Sequence, residues 1–137
     1  MKKITFCFTL LFLTVFSSFG QIQIGDGALI DKGVPFEPSR NYSYTQSIYL
    51  ASEILASGSI TSLQWYYGGP FDLIGSQSLT VYIGHTTKTA FTSTSNWEPI
   101  ANLTQVYAGG ISVNGAGWAS IPFQTSFAYN GTDNLVI

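Results

Sequence analysis

His85 and Lys88 are the two residues of this sequence whose types and spacing most readily suggest chemistry. His85 is the only histidine, and Lys88 follows it in the stretch VYIGHTTKTAF. An imidazole can act as a general base near neutral pH, but it needs a nucleophile, an orienting acid and a pocket. No motif supplies those partners, so we predict no catalytic residues and a protein that is not an enzyme. His85 is expected at a strand end, bonded to the threonine-rich loop that follows it.

The cysteine and histidine content argues against a zinc site. Cys7 is the only cysteine, and His85 has no second histidine with which to share a metal ion. We therefore predict no metal-ligating residues of the usual zinc type and no cofactor. Calcium remains an open alternative, because carboxylates in loops or beside glycines supply the oxygen ligands that it prefers. The candidates are Asp26, Asp31, Asp72 and Asp133.

Aromatic side chains are the feature best suited to ligand recognition. Phenylalanine, tryptophan and tyrosine make up 15% of the chain, and exposed tryptophan and tyrosine rings can stack on sugars or anchor protein contacts. Strand alternation predicts that Trp65 and Tyr67 lie in the core and that Tyr66 faces outward. Most other rings are expected in core or inter-domain packing. The predicted ligand-binding residues are Tyr42, Tyr44, Tyr66 and Trp97.

The start of the chain has the three parts of a secretory signal peptide. Met1–Lys3 is basic, Ile4–Phe16 is almost entirely apolar, and the small residues Ser18 and Gly20 occupy the −3 and −1 positions before Gln21. The apolar run is shorter than the roughly 20 residues that a membrane span needs. Residues 1–20 are therefore predicted to be a signal peptide, with the mature chain starting at or near Gln21. The protein is expected to be secreted or at the cell surface, without a membrane span after cleavage.

The mature chain is weakly charged. Three bases remain after cleavage, against seven acids, which gives a formal charge of −4. Because the bases are few and scattered, we predict no nucleic-acid partner. Charged residues are 9% of the sequence, whereas about 25% is typical, and the abundance of aromatic and β-branched residues argues against disorder. This composition suits one extracellular all-β domain.

The hydrophobic pattern predicts several short strands and no helix outside the signal peptide. Apolar and polar residues alternate in 62–67, 79–83 and 118–123. Asn114-Gly115 is predicted to form a type I′ hairpin, and Asn130-Gly131 a second turn. Further strands are expected near 21–30, 46–55, 103–107, 111–113 and 134–137. The predicted fold is an antiparallel β-sandwich of the jelly-roll or immunoglobulin/fibronectin-III-like kind.

The sequence ends on the apolar residues NLVI, without a turn or a polar tail. Natural termini are usually polar and loosely held. We therefore expect residues 21–137 to be a β-sandwich module that is truncated at its C-terminal end. Asn134–Ile137 is then expected to leave an unpaired sheet edge, which would make the isolated module poorly soluble or oligomeric.

Several segments resemble a module near the start of large secreted bacterial surface proteins. They are YSYTQSIYLASEI, ASGSITSLQWYY, VYIGHTTKTAFTSTSNWEPI, LTQVYAGG and FAYNGTDNLVI, and together they cover roughly 41–137. Those proteins are similar to the class exported by the type IX secretion system, with fibronectin-III-like or adhesin-like domains. The resemblance implies an extracellular β-sandwich module and carries no catalytic residues, and the C-terminal sorting domain of that class is not among the segments that carry it.

Two functions are compatible with these features. The first is a non-enzymatic extracellular module for adhesion, for carbohydrate or protein binding, or for spacing within a larger secreted or cell-surface protein. The second is an accessory module of a secreted peptidase or glycosidase whose catalytic domain lies beyond residue 137. The expected partners are neighbouring domains of the same polypeptide and an extracellular glycan or protein.

Overall fold

The computed structural model describes residues 20–25, 42–68 and 73–137, and strands dominate it. The elements in chain order are β1 (Ile48–Tyr49), α1 (Ala51–Ile54), β2 (Gly58–Tyr67), β3 (Leu73–Thr86), a 3₁₀ helix (Ile100–Asn102), β4 (Thr104–Val113), β5 (Gly117–Tyr129) and β6 (Asn134–Val136). None of the helices in the described ranges is long and apolar enough to cross a membrane. The predicted signal peptide lies outside these ranges, apart from Gly20.

Two antiparallel sheets pack face to face. One has four strands in the order β1-β6-β3-β4, and the other pairs β2 with β5. Their inner faces meet in one apolar cluster, in which Ile83 and Ile121 are almost completely buried. The prediction of an all-β sandwich is confirmed. The cluster consists of Ile54, Val81, Ile83, Val106, Ile111, Val113, Ala119, Ile121, Phe127, Tyr129 and Leu135.

Strand alternation determines which side chains face the core. Trp65 and Tyr67 are partly buried against the apolar cluster, while Tyr66 between them is 46% exposed. The same alternation buries Ala119 and Ile121 and leaves Trp118 exposed. The predicted outward direction of Tyr66 is confirmed, and Trp65 and Tyr67 lie against the core as expected but are only partly buried. The two short strands expected at 103–107 and 111–113 instead form the single strand β4, in which Gly109 between them pairs with Leu79 of β3.

The expectation of an unpaired edge at Asn134–Ile137 is wrong. β6 lies between β1 and β3, with Val136 opposite Ile48 on one side and Gly84 on the other. Ile137 also exchanges two backbone hydrogen bonds with Ser47, at 3.0 and 2.8 Å. The residues before α1 therefore cover the side of β6 that the sequence pattern left open.

The predicted type I′ hairpin at Asn114-Gly115 is also wrong. β4 pairs with β3 and β5 pairs with β2, so the connection between β4 and β5 crosses from one sheet to the other. A type I′ turn needs positive φ at both central residues, whereas of the two only Gly115 has it, at 64°. Asn130-Gly131 is a second crossing between the sheets, from β5 to β6.

A large bulge in β5 connects the two sheets at one side. Ile60 pairs with Phe127 and Ser62 pairs with Pro122, so the residues 123–126 lie opposite Thr61 alone. Gln124, within this bulge, accepts a hydrogen bond from Ala108 N at 3.1 Å and donates one to Ala108 O at 3.0 Å. Its amide thus pairs with backbone groups at the outer edge of β4, as a neighbouring strand would.

The strand predicted at 46–55 is mostly replaced by the short helix α1. Glu53 accepts a hydrogen bond from Leu50 N at 3.1 Å, and Asn134 Oδ1 accepts one from Ala51 N at 2.9 Å. The two side-chain oxygens thus satisfy backbone N–H groups at the start of the helix, which have no partner within it. Ile54 of the helix packs into the core. Long-range contacts of this kind override the local strand pattern.

The strand expected at the start of the mature chain is absent from 21–25, where Gly25 has a φ of 82°.

Leu55 ends α1 in the left-handed region, with a φ of 52° and its side chain 83% exposed. This conformation costs an L-residue about 1–2 kcal/mol. Glycine avoids that cost, but its larger conformational entropy in the unfolded state cancels part of the gain in stability. We therefore expect Leu55→Gly to raise the free energy of unfolding by about 1 kcal/mol, measured by urea denaturation. Leu55→Ala is the control and should bring no gain, since it keeps the Cβ. A gain in the alanine variant equal to that in the glycine variant would contradict this explanation.

Candidate functional site

The loop from Thr87 to Pro99, between β3 and the 3₁₀ helix, is closed by the side chain of Lys88. Its ammonium donates hydrogen bonds to the carbonyl oxygens of Asn96 at 3.0 Å and Trp97 at 2.9 Å. The same nitrogen lies 3.7 Å from Glu98 Oε2. One cation thus ties the two ends of the loop together.

Glu98 connects this loop to β3 and to the 3₁₀ helix. One carboxylate oxygen accepts a hydrogen bond from Asn102 Nδ2 at 2.9 Å, and the other accepts one from Thr86 Oγ1 at 3.0 Å. The Asn102 hydrogen bond is the largest cause that lowers the pKa of Glu98 below its ordinary value of 4.5. Thr86 and Lys88 lower this pKa further, against the opposing effect of burial. Glu98 is therefore a carboxylate held ionised by its neighbours.

Gln46 links the segment before β1 to the same loop. Its Oε1 accepts a hydrogen bond from Glu98 N at 2.8 Å, and its Nε2 donates to Glu98 O at 2.8 Å. The Nε2 group also donates to the hydroxyl of Tyr44 at 2.7 Å. We call Gln46, Thr86, Lys88, Glu98 and Asn102 the Glu98 brace. These five residues fix a loop that has no regular secondary structure between Thr87 and Pro99.

An apolar cavity of about 260 Å³, here named the aromatic notch, opens on the braced loop. The Trp97 ring is 40% exposed and lies 5.9 Å from the Phe91 ring, at an angle of 47°. Tyr44 packs edge-on against the Trp97 ring, with centroids 5.1 Å apart. Phe91 and Trp97 of the loop thus form a group of three neighbouring rings with Tyr44 from the segment before β1, and the Tyr44 and Trp97 rings are exposed. The residues that line the notch are Gln46, Phe91, Ser93, Thr94 and Trp97.

His85 lies beside a second cavity of about 370 Å³ and makes structural contacts there. Its Nε2 accepts a hydrogen bond from Asn130 N at 3.1 Å. The ring also lies 4.9 Å from the Phe127 ring and 5.8 Å from the Tyr129 ring, measured between centroids. The expected bond to the threonine-rich loop is thus replaced by one to the β5–β6 connection. This second cavity is lined by His85, Thr86, Thr87, Lys88, Glu98 and Asp133.

The β5–β6 connection is held by its own side chains as well as by His85. Asn130 Oδ1 accepts hydrogen bonds from the backbone nitrogens of Thr132 and Asp133, both at 3.0 Å. The Tyr129 hydroxyl donates to Asp133 O at 2.7 Å. Burial raises the pKa of that hydroxyl above its ordinary value, and the charge of Asp133 adds to the effect. These bonds support a structural role for this end of the molecule.

The structure brings together two of the four predicted ligand-binding residues. Tyr44 and Trp97 are in contact, and of the two Trp97 lines the aromatic notch. Tyr42 is 94% exposed and does not line it. Tyr66 pairs instead with Trp118, 5.6 Å away, across β2 and β5. That pair lies near the start of β5, far from the His85 contacts at its end.

Sequence reasoning missed Phe91, the Glu98 brace and the exposure of Trp118. Phe91 and Glu98 lie in an irregular loop, where no periodicity indicates which side chains meet. Trp118 did carry a signal, because it alternates with the buried Ala119 and Ile121 and must face the other way. The Gln46 contacts bridge 52 positions of sequence and have no local signature.

The described residues contain no group of three histidine, cysteine, aspartate or glutamate side chains that could hold a metal ion. Of the four aspartates considered for calcium, only Asp133 lies in the described ranges. Its Oδ2 accepts a hydrogen bond from Asn130 Nδ2 at 2.7 Å, which is the arrangement of a turn-forming aspartate.

Comparisons with known proteins give no relative for this chain: no protein-family model, no curated protein and no solved structure matches it. The function must therefore be inferred from the fold and from the site.

Proposed function

We propose that this chain is a non-enzymatic extracellular β-sandwich module that binds a protein partner through the aromatic notch. In this proposal it belongs to a larger secreted or cell-surface protein, similar to those that the type IX secretion system exports. The observation that carries the proposal is a group of three neighbouring rings at the loop fixed by the Glu98 brace: Phe91 and Trp97 lie in the loop, and Tyr44 packs against Trp97.

The chemistry of the notch favours an apolar side chain as its ligand. Both ends of the Gln46 amide are already occupied by Glu98 and Tyr44. The hydroxyl of Ser93 contacts the hydroxyl of Ser95 at 3.3 Å. With these polar groups engaged, the rings supply most of what a ligand can contact, and a cavity of about 260 Å³ suits one aliphatic or aromatic side chain. Aromatic pockets of this kind are frequent anchor sites in protein contacts.

The brace also makes the site rigid before the ligand arrives. Binding to a mobile loop costs roughly 0.5–1.5 kcal/mol for each side chain that must be ordered. Here Lys88 fixes the carbonyl groups of Asn96 and Trp97, so the Trp97 backbone is held in place in the free protein. Loops that bind ligands on a rigid scaffold commonly use this arrangement.

The proposal that the chain is not an enzyme is supported by the contacts of its two chemically suggestive residues. His85 Nε2 is occupied by a backbone donor, and the Lys88 ammonium is bound to two carbonyl oxygens. Neither group is available as a base or nucleophile without breaking a structural contact. The alternative function, an accessory module of a secreted hydrolase, uses the same notch, but its partner is a substrate or a neighbouring catalytic domain.

The test is a selection of short random peptides displayed on phage, with the purified protein as bait. We expect the selected peptides to share one large apolar residue. Their affinity should fall about tenfold or more for Trp97→Ala, a loss of roughly 1.4 kcal/mol, because the largest ring of the notch is removed. Isothermal titration calorimetry with synthetic copies of the peptides measures this loss.

Two variants control for effects outside the notch. Trp118→Ala removes an exposed tryptophan on the other sheet, and His85→Ala removes the contact to the β5–β6 connection; both should retain peptide binding. Peptides that bind Trp97→Ala as tightly as the native protein would refute the proposed site. A selection without enrichment would do the same.

A further inference from the structure

The outer face of the β2–β5 sheet carries a second exposed aromatic pair. Tyr66 and Trp118 lie directly opposite each other, are 46% and 51% exposed, and meet edge to face at 77°. Isolated exposed rings are common on protein surfaces, but here two large rings form one continuous contact surface. Neither ring takes part in the aromatic notch.

Polar side chains extend this pair along the strands. Gln64 lies opposite Ser120, and Ser62 lies opposite Pro122. All of these outward positions are exposed. Successive pairs on one face are about 6.6 Å apart, so the three pairs cover a row about 13 Å long. We call Ser62, Gln64, Tyr66, Trp118, Ser120 and Pro122 the β2–β5 strip.

The strip contains no charge. Neither β2 (Gly58–Tyr67) nor β5 (Gly117–Tyr129) includes a lysine, arginine, histidine, aspartate or glutamate. What it offers is two ring surfaces beside hydroxyl and amide groups. Gln64 Oε1 accepts a hydrogen bond from Gln21 Nε2 at 3.2 Å, and its own Nε2 group is a further donor.

We propose that the β2–β5 strip binds an uncharged polysaccharide. A sugar ring combines an apolar face, formed by its C–H groups, with hydroxyls at its rim. Because the two rings meet at 77°, one of them stacks on the C–H face and the other contacts the sugar by its edge, while Gln64 and Ser120 hydrogen-bond to hydroxyls of the adjacent sugar. An extended row of this kind suits a linear chain, because neighbouring sugars can contact successive pairs of the strip.

The dimensions of the strip favour a glycan over a second protein. A stable protein interface uses about 20–30 residues on each side, whereas the strip has six, of which only the two aromatic residues are large. An acidic polysaccharide is disfavoured as well. Such a ligand is normally held by lysine or arginine, and the strip has none.

The test measures binding of the purified protein to cello-oligosaccharides, laminarin and mannan as neutral probes, and to alginate as the acidic probe. Isothermal titration calorimetry is carried out at low and at high salt. We expect binding to at least one neutral probe, with an affinity that does not change with salt because no ion pair forms. The affinity should fall about tenfold or more in Trp118→Ala and in Tyr66→Ala, and Trp118→Phe should recover part of it.

Trp97→Ala is the matched control, since it removes an exposed tryptophan from the aromatic notch and should bind the neutral probe normally. Three results would each overturn the proposal: no binding to any neutral probe, loss of binding in Trp97→Ala instead of Trp118→Ala, or self-association that Trp118→Ala abolishes. The last would identify the strip as a contact between two copies of this chain. Because peptide binding depends on Trp97 and glycan binding on Trp118, the two proposals can fail independently.

Discussion

Replacing Gly131 with alanine is expected to lower the free energy of unfolding by about 2–5 kcal/mol. Gly131 has a φ of 76°, and an alanine in this region costs about 1–2 kcal/mol. A Cβ at this position would also lie 2.7 Å from the Cβ of Ser57 and 3.0 Å from the carbonyl oxygen of Ala56. Neither neighbour is the flexible end of a long side chain, so overpacking adds about 1–3 kcal/mol.

Gly115→Ala separates the two causes of this loss. Gly115 also has a positive φ, 64°, but a Cβ there would meet nothing within 4 Å. It should lose only the backbone part, about 1–2 kcal/mol. Urea denaturation of both variants gives the difference. If both variants lost the same free energy of unfolding, close packing of the β5–β6 connection against the residues before β2 would not explain the loss at Gly131.

Local pattern was sufficient to predict the β-sandwich and the faces of its strands. Trp65, Tyr66 and Ala119 lie where alternation predicts, because the side-chain period of a strand is two residues and one face must be buried. Alternation within a strand does not predict which strands pair with each other. Asn114-Gly115 has the signature of a hairpin between neighbouring strands, yet the chain crosses there to the other sheet, where β5 pairs with β2.

The site was only partly predictable, because it depends on contacts between segments distant in sequence. Exposure of Tyr44 and Trp97 follows from their polar surroundings, whereas their contact follows from the bonds of Gln46 to Glu98 across 52 positions. His85 shows the same limit. Its strand end was expected, but its partner Asn130 lies 45 positions away.

Removing the Glu98 side chain is expected to weaken both the fold and the notch. Glu98→Ala deletes the charge-assisted hydrogen bonds to Thr86 and Asn102, and bonds to charged groups contribute about 1.5–3 kcal/mol each when buried. Because the Asn102 bond is exposed to solvent, we expect a total loss of about 2–3 kcal/mol. Peptide binding at the notch should weaken as well, since Trp97 immediately precedes Glu98.

The ionisation of Glu98 makes this contribution depend on pH. Its pKa is lower in the folded protein than the ordinary value of 4.5, so the native state favours the charged form. The resulting stabilisation is fully present above 4.5 and is lost as the pH falls through the folded-state pKa. Glu98→Gln, which cannot ionise, should therefore be less stable than the native protein near neutral pH. The difference between them should shrink as the pH falls below 4.5.

Urea denaturation of the native protein and of Glu98→Gln, at a series of pH values from neutral to strongly acidic, measures this difference. Glu53→Gln is the control. It removes a carboxylate at the start of α1, outside the Glu98 brace. The fall in stability at low pH that is assigned to Glu98 should therefore remain in this variant. A difference between Glu98→Gln and the native protein that stays constant across this range would mean that the carboxylate contributes through its shape and not through its charge. The brace would then hold the loop by Gln46 and Lys88 alone, whose bonds to backbone atoms do not depend on the charge of Glu98.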